Sequence, residues 1–242
     1  MLHLTQFRVT IARLTLKGFL VSTAKSNIYA ILMGDLVGSE KAKSVKTVHR
    51  VFNNAIKSVS EAHGANIASP LTITLGNEFQ GLLKSLQHAW DITSDLRLRL
   101  LVANVSCRFV IGTAELETPL NKTRAWNMMG GGFAAARDKL NDKRSDNAYR
   151  FSLPGEQIIE FLLDAIGASI TQIEREWTFT QLKYYSKVQG SKRTNEVVAN
   201  RLGVTPRSLY KVLHAARAEF HKRQSEVLRR ALGEIDKKYG KR

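Results

Sequence analysis

Residues 71–83, Leu-Thr-Ile-Thr-Leu-Gly-Asn-Glu-Phe-Gln-Gly-Leu-Leu, constrain the fold of this chain more than any other stretch. Leu71, Ile73 and Leu75 alternate with Thr72 and Thr74, the period-two pattern of a strand with one buried face. Gly76-Asn77 follows at once, and both residue types tolerate positive φ. The spacing therefore predicts a two-residue hairpin turn, with a return strand from Glu78 to Leu83. This puts the Glu78 carboxylate at a hairpin tip. A second stretch complements it. Residues 28–39 read as a buried apolar strand that closes on Gly34-Asp35 and then Gly38-Ser39. A carboxylate at the end of a central strand, with glycines around it, lets a phosphate or a metal ion come close. A hairpin with no chemistry is the plain alternative.

The segments between and after these strands complete a recognisable order. Residues 41–63 carry Val45, Val48, Phe52, Ile56 and Val59 at helical spacing, with Gly64 as a stop. Residues 86–101 repeat the pattern with Trp90, Leu96 and Leu100. Residues 105–113 read as a strand, residues 123–140 as mainly helical with an interruption at Gly130–Gly132, and residues 149–153 as a last strand. The order β-α-β-β-α-β, followed by an extra helix and strand, is that of the split βαβ, ferredoxin-like arrangement, an antiparallel sheet with helices on one face. Pro154-Gly155 then punctuates the chain, and everything after it reads helical, with helices expected over 156–170 and 172–188. The expected fold is α+β: a ferredoxin-like sheet domain over 27–153 and an all-α domain over 154–242.

Charge separates the two halves. The chain carries a formal +16, and residues 183–242 hold sixteen Lys/Arg against five Asp/Glu, a net +11. A basic surface concentrated in this way implies an anionic partner, most often nucleic acid. Residues 194–216 fit that partner. A helix-turn-helix needs a small residue midway along its first helix, a glycine at the turn and apolar residues that fix the crossing. Ala199 is the small residue, Gly203 follows four later, and Leu209 and Val212 lie ten and thirteen after Ala199. Thr205 is a good N-cap and Pro206 a good first helical residue. The outward residues of the second helix would be Arg207, Ser208, Tyr210, Lys211 and His214, whose donors suit guanine edges and phosphate oxygens of double-stranded DNA. A helical hairpin with a solvated basic face is the alternative. The pattern Leu209, Leu213, Ala216, Phe220, Val227, Ala231 and Ile235 extends the second helix toward Tyr239. It offers either a homodimer seam or a face packed within the chain.

Other features bound the reading. Residues 1–26 are basic, acid-free and amphipathic, which suits a transit peptide or an upstream extension, and the expectation is an extension with translation starting near Val21. Cys107 is the single cysteine, so no disulfide framework forms, and its apolar surroundings mark it as a core residue. The six histidines lack metal-ligand spacing. No window approaches the roughly eighteen uncharged apolar residues of a membrane span, and a cytosolic protein is expected. Gly130–Gly132 ahead of a helix with Arg137 offers an anion site or a flexible turn.

Gly34-Asp-Leu-Val-Gly-Ser39, residues 71–83, Ala136-Arg137 and the terminal helix-turn-helix resemble the SatD family of bacterial proteins over roughly residues 27–215. The family's first domain is similar to class III nucleotidyl cyclases and GGDEF domains. The resemblance implies a cyclase-like site, with Asp35 and Glu78 as metal ligands for Mg²⁺ or Mn²⁺. Gly34, Gly38, Ser39, Gly76, Asn77 and Arg137 would lie around a nucleotide or other anion. The family reads Gly-Asp-Glu-Phe at the hairpin, whereas this chain has Asn77 in place of the Asp. An amide is a poorer ligand for a hard cation than a carboxylate, so the resemblance implies weak metal binding and a degenerate site. Three functions follow. The first is a DNA-binding transcriptional regulator whose cyclase-like domain senses a small-molecule or nucleotide ligand, or serves assembly. The second is a metal-dependent nucleotide-binding or nucleotidyl-transfer enzyme. The third is a protein–protein interaction module. Asn77 and the basic tail favour the first, and the reading leans away from an enzyme.

Overall fold

Strand β1 (Ile28–Leu36) runs through the middle of the sheet, and its alternating side chains sort the core into two layers. Ala30, Leu32 and Leu36 join one buried cluster, and Ile31 and Met33 join another. The computed structural model describes residues 27–38 and 44–240. The expected extension over 1–26, Ser39 and the start of the helix expected at residue 41 lie outside the described residues.

Among the described residues the protein is mixed α+β, with six strands in one sheet and eight α-helices. Helix α1 (Val45–His63) starts at Ser44, whose hydroxyl accepts from the Thr47 amide. It leads through a single 3-10 turn to β2 (Ile67–Leu75) and β3 (Glu78–Leu83), joined by Gly76-Asn77. Helix α2 (Leu86–Val102) and β4 (Cys107–Leu116) follow. The strand order is β2-β3-β1-β4, and each neighbouring pair in it is antiparallel. Helices α1 and α2 cover one face. The other is covered in part by α3 (Phe133–Asn141), which places Ala136 and Leu140 against Ile31, Met33 and Val110. Strand β6 (Tyr149–Ser152) adds parallel to β4.

The segment expected to be helical from residue 123 is helical only from Phe133. Asn121 explains the start of the loop: its side-chain oxygen accepts from the amides of Thr123 and Arg124 and pulls the chain into a turn. The Ala125 amide then donates to Thr72 on β2. Beyond it, Gly130 and Gly131 form a short strand, β5, beside the end of β4. A Cβ on Gly130 would sit 1.8 Å from the Glu115 carbonyl oxygen. Only glycine lets the backbone lie that close, so the glycine run is a strand contact.

The expected break near residue 171 is also displaced. Helix α4 runs unbroken over Gln157–Glu176 and stops at Trp177, because Thr178 and Gln181 form a capping box that starts α5 (Phe179–Gln189). The apolar side expected of α4 is only partly buried: Ile158, Phe161 and Leu162 face out, and Leu163, Ile170 and Ile173 face in.

Helices α6 (Asn195–Leu202) and α7 (Pro206–Ala215) come next, and then α8 (Ala218–Lys238). The long helix expected from Pro206 to Tyr239 is broken at Arg217, which adopts left-handed φ 52. The stripe read as a dimer seam is used largely within the chain: Leu209, Leu213, Ala216 and Ile235 are buried. Helix α8 returns to the sheet side. Leu228, Leu232 and Ile235 share a cluster with Trp90 and Leu96 of α2 and Phe151 of β6. The Asp236 carboxylate also accepts the first two amides of α2, Leu86 at 2.8 Å and Gln87 at 2.9 Å. Of the helices after Pro154, α4 and α8 therefore share the core of the sheet, α4 through Leu163 and Ile170. A separate cluster, built on Tyr185, Val198, Ala199, Leu209 and Leu213, holds α5, α6 and α7 together.

Candidate functional site

Two regions bear on function, and the first is the strand end at Asp35. The hairpin register sets Asp35 directly opposite Glu78 on one side and Arg108 of β4 on the other. Cross-strand neighbours on one face stand about 5 Å apart at Cβ. The two carboxylates singled out in the sequence thus stand opposite each other across β1 and β3. The Asp35 carboxylate is also already answered. Arg108 Nη2 lies 3.1 Å from Oδ2, and Asn77 Nδ2 donates to Oδ1 at 2.9 Å. Asp35 is buried, and the Arg108 side chain is only 12% exposed.

This arrangement bears on the implied Mg²⁺ or Mn²⁺. A divalent cation between Asp35 and Glu78 would meet a guanidinium that already supplies the positive charge, and an amide whose NH₂ points at the carboxylate. Among the described residues there is no group of three His, Cys, Asp or Glu side chains able to hold a metal. The residues present therefore fit such an ion poorly.

The other residues assigned to this site divide. Gly38 and Asn77 line the same cleft as Asp35. Gly34 faces the opposite layer, where a Cβ would come within 2.3 Å of the Phe79 ring, so its lack of a side chain serves packing. Gly76 holds φ 50 at the hairpin tip. Arg137 on α3 donates to Gln80 of β3 at 2.9 Å, which ties α3 to the sheet and places Arg137 away from the cleft lining.

From the strand end the cleft, about 600 Å³, runs between the sheet and the helices α4 and α5. Arg97 and Glu174 line it as a buried pair, 2.9 Å apart, each 5% exposed. Arg97 also donates to the Cys107 carbonyl. Glu174 accepts from the Tyr149 hydroxyl and lies 3.2 Å from His221 Nε2, and His221 Nδ1 lies 2.7 Å from the Tyr185 hydroxyl. Trp177 packs against both Tyr185 and His221. Burial pushes the Glu174 carboxyl up, but the Arg97 charge and the bonds to His221 and Tyr149 outweigh it and leave the group below its ordinary value. Burial, more than any other cause, pushes the Cys107 thiol far up, in keeping with its core position.

The second region is α7. Gly203 ends α6 at φ 69 and ψ 29, a left-handed geometry in which a side chain is costly. Thr205 caps α7 by accepting from the Ser208 amide, and Pro206 opens the first turn. Leu209 and Leu213 face the core, and Val212 is half-buried at the edge. Arg207, Ser208, Tyr210, Lys211 and His214 are all exposed. Ser208 accepts from the Thr205 hydroxyl, and Tyr210 donates to Glu196 at 3.3 Å. The Arg207, Lys211 and His214 side chains make no hydrogen bond or ion pair among the described residues. Lys183, Lys187, Lys192, Arg193 and Arg201, on α5, α6 and the loop between them, are exposed as well.

Arg97, Arg108, Glu174 and Trp177 were not singled out from the sequence. A signal existed for three of them. Arg97 falls on the apolar stripe Trp90, Thr93, Leu100 of α2, Glu174 on the stripe Gly167, Ile170 of α4, and Arg108 interrupts an apolar strand. A charge on a buried face demands a partner.

Among the described residues no helix is long and apolar enough to cross a membrane. A family model, described as the SatD family, matches residues 29–241. No curated protein matches the chain.

Proposed function

The chain belongs to the SatD family, and from that premise we propose that it is a DNA-binding transcriptional regulator, in which α6 and α7 form a helix-turn-helix and the sheet half is a degenerate cyclase-like domain that senses a ligand. The observation that carries the reading is the α7 surface. Its inward face is fixed by Leu209 and Leu213, while Arg207, Lys211 and His214 stand exposed with no partner among the described residues. Leaving three donors of this kind free on one short helix is what base-edge and phosphate contact requires. The surrounding Lys183, Lys187, Lys192, Arg193 and Arg201 supply the non-specific attraction to a polyanion.

The strand order β2-β3-β1-β4, antiparallel throughout, supports the ferredoxin-like, cyclase-like reading of the sheet half. One observation favours the alternative of a metal-dependent nucleotidyl-transfer enzyme: Asp35 stands opposite Glu78. The weight lies against it, because Arg108 already neutralises Asp35 and Asn77 occupies its other carboxylate oxygen.

The test is selection of bound sequences from a random duplex pool by the full chain, repeated with Arg207→Ala. Wild type should enrich a defined sequence, and the variant should lose preference at one position while keeping the rest. Enrichment of no sequence, or an identical profile from both proteins, would count against α7 as the reader.

A further inference from the structure

The cleft between the sheet and the helices is larger than any use the chain itself makes of it. We propose that it binds a small organic oxyanion, a phosphate or carboxylate group on a compact apolar body. The inference deepens the ligand-sensing half of the reading above and rests on it.

Size comes first. About 600 Å³ is within the range of small-molecule sites. Charge comes next. Every carboxylate that lines the cleft has a partner: Asp35 has Arg108 and Asn77, Glu174 has Arg97, Tyr149 and His221, and Asp146 has Arg175. Of the charged groups, the one left over is a cation. The Lys143 ammonium has no partner among the described residues, and neither do the side chains of Asn104 and Ser106. The buried Nε–H of Arg108 makes no hydrogen bond. A cleft whose carboxylates are paired and which keeps an unpaired ammonium favours an anion, because an anion offers that donor a charge-assisted bond. Trp177, Leu101 and Leu182 line the same cleft and provide the apolar surface for the rest of the ligand.

The position gives the site a route to the DNA-reading helix. Trp177 lines the cleft and also donates through Nε1 to the Ala216 carbonyl at 2.7 Å, at the C-terminal end of α7. Beside it, Glu176 at the end of α4 pairs with Arg217 at the α7–α8 corner. An occupant that shifts Trp177 therefore acts on the residues that orient α7.

The experiment is a calorimetric titration of the full chain, free of DNA, with three probes: phenyl phosphate, benzoate and phenol. At least one anionic probe should bind saturably and phenol should not. The better anion distinguishes a phosphate ester from a carboxylate as the natural ligand. Lys143→Glu, at an exposed residue with no contact to disturb, should weaken the anion about ten-fold, the loss of one charge-assisted bond. Lys222→Glu, on the exposed side of α8, should leave it unchanged. Binding of phenol equal to that of the anions, an unchanged affinity in Lys143→Glu, or no binding by any probe would overturn the proposal. Because no DNA is present, such a result leaves the reading of α7 intact.

Discussion

The strand end at Asp35 and the outer face of α7 both carry charges, and they treat them oppositely. At the strand end and along the cleft, the carboxylates of Asp35 and Glu174 are buried and each is bound to an arginine from another element. On α7, Arg207 and Lys211 are exposed and make no hydrogen bond or ion pair among the described residues. A buried ion pair holds elements in register, and breaking one half leaves an uncompensated charge in a medium that cannot solvate it. An exposed unpaired cation does nothing for the fold and is available to a partner. The difference teaches which charges are structural and which are free to act. It also shows why two residues of equal promise in the sequence, Asp35 and Arg207, come to different roles.

The largest effect should come from the most buried pair. Glu174→Gln leaves Arg97 facing a neutral amide and should cost about 3–5 kcal/mol in urea unfolding. The pH dependence has a definite sign. The folded-state carboxyl of Glu174 titrates below its ordinary 4.5, so it stabilises the protein above the unfolded value and loses that contribution as pH falls through the folded one. The gap between wild type and Glu174→Gln should therefore be constant near neutrality and narrow on acidification below about pH 4.5. A gap that widens with acid would contradict the assignment of charge.

Asp35→Ala should come next, at about 3 kcal/mol, since it strands Arg108 in the same way. Arg207→Ala should leave the unfolding midpoint where it is. Equal effects from the two would erase the contrast between the regions.

A smaller and conditional effect is expected from Asn77→Asp. The amide now donates to Asp35, so a carboxylate in its place sets two like charges side by side. The variant should melt lower than wild type in the presence of a chelator. Mn²⁺ or Mg²⁺ should restore it only if Arg108 can yield its place to a metal. Melting that is insensitive to divalent ions in both proteins would mark the strand end as wholly structural.

How much of this was legible in the sequence depends on the range of the interaction. Thr72 and Thr74 alternating with apolar residues and Gly76-Asn77 are local patterns, and the hairpin follows them, whereas the pairing of Asp35 with Glu78 across β1 and β3 is expected only from the family resemblance. Thr205-Pro206 and Gly203 are equally local, and α7 begins where they put it. The Arg97–Glu174–His221 cluster joins residues 77 and 47 positions apart, and no period in the chain announces it. The break at Arg217 was hidden for a similar reason. Apolar spacing runs on through it, and the corner is held by Trp177 and Glu176 from another helix. The turns after Asn121 are not legible in the local pattern, because a single side chain taking two backbone amides sets the path of the chain there.

The central claim is that α7 keeps its cations free for DNA. The most direct measurement is the affinity of the full chain for its selected duplex across a series of salt concentrations, for wild type and for Arg207→Ala with Lys211→Ala. The account predicts that the logarithm of the wild-type affinity falls linearly with the logarithm of salt concentration. The double variant should bind at least about ten-fold more weakly, with a slope shallower by about one for each phosphate contact removed. Equal affinity and equal slope in the two proteins would contradict it.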